Sequence, residues 1–433
     1  AYRRDGLASS ADTIQRFRIA ALPPAAGGSA AAAGESFRLV SDAPWVSRSA
    51  PTVTLDQNGA ALVEVRYDAS QLAQPGRYVG TVFGHSVSDS ASGPLFALPN
   101  TVIVTDTAAA FAARSRKAPG GTAARFFIRV PAQGAGLAVR AVARDSLVPG
   151  VLSLYEPSGR PSRATEALNL GGDGPAHVSA VLSVNDAVPG VWELVMQSLP
   201  GREFRYDIEA SVPGARIAGV DSNSATPRVT FAAASTADTT LTVTAEQLGI
   251  TRLRDIAIVN GAPVRDTLEP PSWATALVVE ISIPRSQWSA VTDFSMVAYD
   301  RDGAQLGQGA MNYDFHRFEV ELPERRAGSF PVQVELFPAF AHEGAPARFD
   351  LRMRVTFVGA ARPLQVSAGR DVTAGSDSAS VRIPGGGTAS VTIGALRPLP
   401  PAPGWDEWIR VRAVDRRTDW VVLERYIAVH RAP

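Results

Sequence analysis

The sequence has 433 residues, 45% of them hydrophobic, with 37 Gly, 32 Pro, no Cys, and 42 basic residues balanced by 42 acidic ones. A neutral total gives no long-range attraction for polyanions, so nucleic acid is not the expected main partner. The absence of Cys excludes a disulfide framework, a thiolate nucleophile and Cys-ligated zinc or iron–sulfur centres.

Compartment is not fixed by the missing Cys, which suits both the cytosol and the outside of a cell. Lys117 is the single Lys among the basic residues, a bias that resembles a GC-rich bacterial genome. At roughly 100–150 residues per domain, the length predicts about three or four domains, each with its own core. The chain opens Ala1-Tyr2-Arg3-Arg4-Asp5, without an initiator Met, a signal-type segment or a small-residue cleavage site, so a piece of a longer polypeptide is expected. The uncharged run from Ile19 to Gly34 contains Pro23-Pro24 and Gly27-Gly28 and reads as a loop rather than a membrane span.

In chain order, the ordered segments have strand character. Val53 to Leu55, Ala61 to Tyr67, Phe126 to Val130, Thr240 to Thr244 and Phe318 to Leu322 largely alternate apolar with polar or β-branched residues, the period-2 signature of half-buried strands. Pro, Gly, Asp and Ser clusters separate them, such as Gln74-Pro75-Gly76, Val148-Pro149-Gly150 and Arg301-Asp302-Gly303. Ala108 to Arg114 and Thr244 to Leu248 have room for a turn or two of helix, but no long 3.6-residue stripe is visible. The expected fold is therefore all-β, with tandem β-sandwiches of immunoglobulin-like and jelly-roll-like type.

Four units are expected. The first spans residues 1–106 and ends in Val102-Ile103-Val104; Ala108 to Gly121 then reads as a linker. A second, jelly-roll-like unit spans 123–213, and the patch Asp221 to Thr226 separates it from a third at 227–358. A C-terminal sandwich spans 359–433, with a long Pro-rich loop from Arg397 to Gly404. The second and third units read as one architecture used twice. Pro189 to Val195 followed by Phe204 to Ile208 parallels Gly328 to Val334 followed by Phe349 to Met353, and Leu154 to Gly159 parallels Val297 to Gly303.

Catalytic chemistry finds little support. The five His residues (His85, His177, His316, His342, His430) lie outside any subtilase-type Gly-rich motif, and Gly385 to Ser390, the nearest imitation of a nucleophile segment, is expected to be a hairpin loop. No two His are spaced for a helical zinc pair. Asp300-Arg301-Asp302-Gly303 begins like a calcium loop, but Met311 occupies the twelfth position where a bidentate Glu is needed, so a β-turn is expected. No catalytic, cofactor-binding or metal residue is therefore nominated. Trp405, Trp408 and Trp420 are expected to pack between sheets, with a sugar-stacking platform as the alternative. Arg325-Arg326 and Arg416-Arg417 are expected in solvated turns, with an inter-subunit contact as the alternative.

In the first unit, Trp45-Val46, Leu55, Val63, Val65, Asp68, Leu72, Gly76, Tyr78, and then Gly93-Pro94-Leu95-Phe96 with Pro99 and Thr101, resemble the sandwich that follows the protease domain in tripeptidyl peptidase II-like subtilases. Phe127-Ile128-Arg129-Val130-Pro131 is similar to that family's next strand, and Tyr2 and Arg4 to the handover from the protease domain. The Gly-Pro-Leu-Phe segment is its most specific piece. The sequence departs from the pattern at Arg3, Ala97 and Asn100. The resemblance implies a serine peptidase whose Asp, His and Ser precede this chain, and it places no catalytic residue within it. The expectation is a non-catalytic C-terminal region serving assembly, stabilisation or substrate access. Its expected partners are the catalytic domain of the same precursor, a homo-oligomer and, indirectly, a peptide or protein substrate. An extracytoplasmic or secreted location is expected, with the cytoplasm as the alternative. The competing expectation is a secreted adhesin or carbohydrate-binding protein using Trp405, Trp408 or Tyr299.

Overall fold

The computed structural model describes residues 1–7, 10–21, 33–89, 91–105, 110–132, 136–144, 150–162, 168–170, 179–185, 187–198, 201, 203–224, 226–259, 262–288, 294–310, 314–322, 331–338, 348–368, 376–396, 399, 404–416 and 419–430. Most of the loops expected at 19–34 and 397–404 lie outside the described residues, as do Arg325, Arg326, Arg417, His177 and His342.

Period-2 patterning produces the first sandwich. Its strands are β1 (Tyr2–Arg3), β2 (Ile14–Ala20), β3 (Ser36–Ser41), β4 (Val46–Arg48), β5 (Thr52–Thr54), β6 (Ala60–Tyr67), β7 (Gly76–Ser86) and β8 (Pro94–Val104). They pair as β1-β8-β7-β3-β5 and β2-β6-β4, with Leu39, Trp45, Val63, Val65, Val82 and Val102 buried between the sheets. The Gly-Pro-Leu-Phe segment begins β8 and lays the Phe96 ring across Gly84 on β7, where an added Cβ would stand 2.1 Å from the ring. Asn100, which interrupts an apolar strand, is fully buried and accepts a 2.8 Å hydrogen bond from the Tyr67 hydroxyl, bridging the two sheets. Its own amide donates to the Leu98 carbonyl at 2.8 Å, so the polar group enters the core satisfied.

The second sandwich comprises β9 (Ala110–Ala118), β10 (Ala123–Val130), β11 (Leu137–Ala143), β12 (Gly150–Tyr155), β13 (Leu168–Leu170), β14 (Ser179–Val184), β15 (Gly190–Ser198) and β16 (Phe204–Ser211). Its sheets run β10-β15-β12-β13 and β14-β11-β16-β9, the eight-strand, two-sheet arrangement of a jelly roll. The segment read as a linker with helical turns is thus edge strand β9. Its Ala-rich composition favours helix only locally, and the ladder to β16 overrides that preference.

Two sandwiches then share one sheet. The strands are β17 (Ala215–Asp221), β18 (Arg228–Ala233), β19 (Thr239–Val259), β20 (Val264–Leu268), β21 (Ala276–Ser282), β22 (Phe294–Tyr299), β23 (Gln305–Ala310), β24 (Phe315–Glu321), β25 (Val332–Pro338) and β26 (Arg348–Leu364). After these come β27 (Val366–Ala368), β28 (Ala379–Ile383), β29 (Thr388–Ile393), β30 (Asp406–Asp415) and β31 (Trp420–Val429). A seven-stranded sheet runs β24-β21-β26-β19-β30-β31, with β28 also paired to β19. One half covers β20-β25-β22-β23 around Leu277, Phe294, Val334 and Phe357; the other covers β17-β18-β29-β27 around Phe231, Leu241, Val391 and Ile409. The boundary expected at 358/359 falls inside β26, which runs through both halves. The Asp221 to Thr226 patch expected to separate two units joins the paired strands β17 and β18. Thr244 to Leu248 lies inside β19 rather than in a helix. Gly385 to Gly387 joins β28 to β29, which pair with different sheets, so the segment is a crossing between sheets and not a hairpin.

The strand order β20-β25-β22-β23 with β24-β21-β26-β19 repeats that of the second sandwich strand for strand. Gly159 and Gly303 occupy the same turn, each with φ of 81° and an N–H donating back three residues, to the carbonyls of Glu156 and Asp300. In the β15 and β25 hairpins the match lies one residue from the sequence parallel. Trp192, Leu194 and Met196 face inward as Val332, Val334 and Leu336 do, and a one-residue slip would turn every side chain outward.

Arg4 ties the first core to the second. Its guanidinium donates to the carbonyls of Glu156 at 2.8 Å and Val191 at 3.3 Å, and lies 3.7 Å from Glu193 Oε2. Arg125 hydrogen-bonds the other oxygen of the buried Glu193. Beside this clasp, Ile103, Phe127 and Val191 form a small apolar cluster, and Arg129 donates to the Asp5 carbonyl at 2.7 Å. The second core also meets β31, where Asn185 Nδ2 donates to the Glu424 carbonyl at 2.6 Å.

Candidate functional site

The shared sheet bends where its two sandwiches meet. On β19, Leu241, Val243 and Ala245 face one core and Ile250 and Ile258 face the other. The switch from odd to even positions occurs at a bulge between Gln247 and Gly249, so both cores lie on one face of the sheet. Gly249 is required there, since an added Cβ would stand 1.9 Å from the Phe357 carbonyl oxygen.

On the opposite face, the bend forms a groove of ≈ 490 Å³. Leu248, Val278 and Val358 give it apolar lining, and Trp408 and Tyr426 give it aromatic lining. The Tyr426 ring stacks on Trp408 with centroids 5.7 Å apart and planes 16° from parallel. From the β26 side, the Arg354 guanidinium lies 4.8 Å from the centroid of the same indole, a cation–π contact. Trp408 is 9% exposed and Tyr426 38%, so the tyrosine is the aromatic surface that solvent reaches.

Charges alternate across the groove. Arg354 lies 3.4 Å from Glu280, and Arg317 lies 4.0 Å from Glu280 and 3.4 Å from Glu319. Arg410 chelates Glu246 Oε2 at 2.9 and 2.5 Å, and Arg412 reaches Glu424 at 2.7 Å. Burial first, and then neighbouring Glu424, push the Tyr426 phenol above its usual range, against the opposing charges of Arg410 and Arg317. Arg317 stands on edge strand β24 and Tyr426 on edge strand β31, and both side chains line the groove.

The aromatic residues singled out in the sequence do not form one platform. Trp405 and Trp408 are three residues apart, an odd spacing that sends alternating side chains to opposite faces. Trp405 packs on core residue Phe357 with centroids 5.1 Å apart, beneath Arg252 at 4.8 Å. Tyr299 stands on β22, in a different sheet, and the side chain of Trp420 lies outside the described residues. Tyr426, Arg354, Arg410 and Glu280 were not singled out. The available signal was the alternation Trp408, Arg410, Arg412 along one strand face.

Asp300 to Gly303 is a turn between the paired strands β22 and β23, with Asp300 Oδ1 accepting from the Asp302 and Ala304 amides at 2.9 and 2.8 Å. Among the described residues, no group of three or more His, Asp or Glu is placed to hold a metal ion. His430 pairs with Asp406 at 2.7 Å on the surface. No helix among the described residues is long and apolar enough to cross a membrane.

The strands define the class: an all-β protein of tandem sandwiches that include two jelly rolls. No family profile matches the chain, and no curated protein matches it. Among solved structures it is similar to tripeptidyl peptidase 2, with a TM-score of 0.46 and 13% identity, over 100% of this chain and 39% of that one. The chain thus spans well under half of that protein's length. It is also similar to the M60 catalytic domain with the CBM51-1 and CBM51-2 domains from Clostridium perfringens ZmpB, at TM-score 0.16 and 9% identity over 76% and 51% of the two chains. The Sulfolobus Turreted Icosahedral Virus structure is similar at TM-score 0.18 and 7% identity, over 84% and 80%.

Proposed function

We propose that this chain is the non-catalytic, all-β region of a large subtilisin-like serine peptidase, acting in assembly, in stabilisation of the catalytic domain or in control of peptide access to it. The four larger hydrophobic cores among the described residues are its folding units, the third drawn mainly from Ile250 to Phe357 and the fourth from the segments on either side, up to Ala245 and from Leu364 onward. The observation that carries the reading is a coincidence of residues. Tyr2, Arg4 and Phe127, through which the chain resembles the tripeptidyl peptidase II-like subtilases, belong to the segments that join the first two cores: Arg4 clasps the second core and Phe127 packs on Ile103. Its partner is the catalytic domain of the same precursor, in an oligomer outside the cytoplasm.

The reading is tested by assaying the purified chain on fluorogenic peptides. No turnover above buffer is expected. Steady turnover that a serine-directed fluorophosphonate abolishes would contradict it.

A further inference from the structure

We propose that the groove on the outer face of the shared sheet binds a neutral oligosaccharide, with Tyr426 as its stacking surface. The inference does not depend on the peptidase reading.

Three features of the groove select this ligand. First, the exposed Tyr426 ring is backed by Trp408, which is itself held by Arg354. A ring fixed in this way loses little freedom when a flat ligand face settles on it, and pyranose rings offer such faces of C–H groups. Second, the guanidinium groups that line the groove, those of Arg317, Arg354 and Arg410, are each matched to a carboxylate, from Glu280, Glu319 and Glu246. An anionic ligand would have to displace one of these carboxylates. A hydroxyl can accept from a guanidinium N–H and donate to a carboxylate oxygen while the ion pair stays in place, because each group has more hydrogen-bonding positions than one pair uses. Third, the groove has the volume of a small-molecule site, ≈ 490 Å³, and its lining includes both apolar and charged side chains. That mixture suits the two-faced chemistry of a sugar, apolar on its ring face and hydroxylated at its rim.

Calorimetric titration of the full 433-residue chain with cellohexaose, maltohexaose, xylohexaose, mannohexaose and chitohexaose tests the proposal. At least one should bind. Tyr426→Ala should weaken that binding by about tenfold, the size of one good stacking contact, and Tyr426→Phe should retain it. Tyr299→Ala, in a different sheet, should leave it unchanged. If Tyr426→Ala does not fold, Glu319→Gln carries the test, because Glu319 is an exposed wall residue and its change should weaken the same sugar. Binding of none of the five overturns the proposal, as does binding that neither Tyr426→Ala nor Glu319→Gln alters. Tyr426-dependent binding of heparin fragments or of peptides, without any neutral sugar, would also overturn it and assign the groove to that other class.

Discussion

Ser115 is a non-glycine residue with φ of 51°, in the left-handed region that L-residues avoid. Asp207 holds it there. The carboxylate accepts from the Ser115 amide at 2.8 Å and from Arg144, at the point where β9 and β16 slip register. The Arg144 hydrogen bond is the main cause that keeps the Asp207 carboxyl below the usual range; burial opposes it, and the Ser115 N–H adds to it. Because the folded value is depressed, the stabilisation is full above the unfolded value of about 3.9 and is lost as pH falls through the folded value. Asp207→Asn should therefore lower the urea midpoint at neutral pH and narrow its gap to the natural chain as pH drops below about 4. An undiminished gap at low pH would contradict this. None of it was legible beforehand, since neither a bulge nor its carboxylate partner leaves a periodic trace. Asn100 was visible as a departure, but the hydroxyl that satisfies it lies on another sheet, out of reach of local pattern.

The elements themselves were largely legible, because alternation marks a strand wherever one face is buried. Ala61 to Tyr67 falls on β6 to within a residue, and Phe318 to Leu322 overlaps the second half of β24, which begins at Phe315. The reading failed where tertiary pairing decides. Ala110–Ala118 is a strand only because β16 pairs with it, and Gly385 to Gly387 is a crossing only because its flanking strands go to different sheets. The groove was half legible: the odd spacing of Trp405 and Trp408 already argues against one platform, whereas Tyr426 joins Trp408 only through the pairing of β30 with β31. The bulge that bends the sheet depends on Gly249, whose Cβ position is filled by backbone rather than by a yielding side chain. Gly249→Ala should cost about 3 kcal/mol in urea unfolding. A change near zero would mean that the bend relaxes freely.

For the whole molecule, chain length says how many domains to expect but carries no information on how strands connect between cores. A boundary drawn along the chain at 358/359 has no counterpart in the sheet, because β19 and β26 each serve two cores. The jelly-roll repeat was visible as a repeated turn and hairpin, and its full extent emerges in the identical strand order. The first two cores are coupled by Arg4 rather than by a large apolar contact. Arg4→Ala should cost about 2 kcal/mol, the worth of a charge-assisted hydrogen bond, and should raise amide exchange at Tyr2–Arg3 while leaving Ile208, deep in the second core, protected. Equal exchange increases at both places would show that the clasp is not local.

The central claim is that a catalytic domain belongs to the same polypeptide as these sandwiches. The most direct measurement is the sequence of the natural transcript that encodes them, read in frame upstream of the Ala1 codon. A subtilase Asp, His and Ser set is expected in that frame. A transcript whose reading frame encodes no such set would contradict the claim.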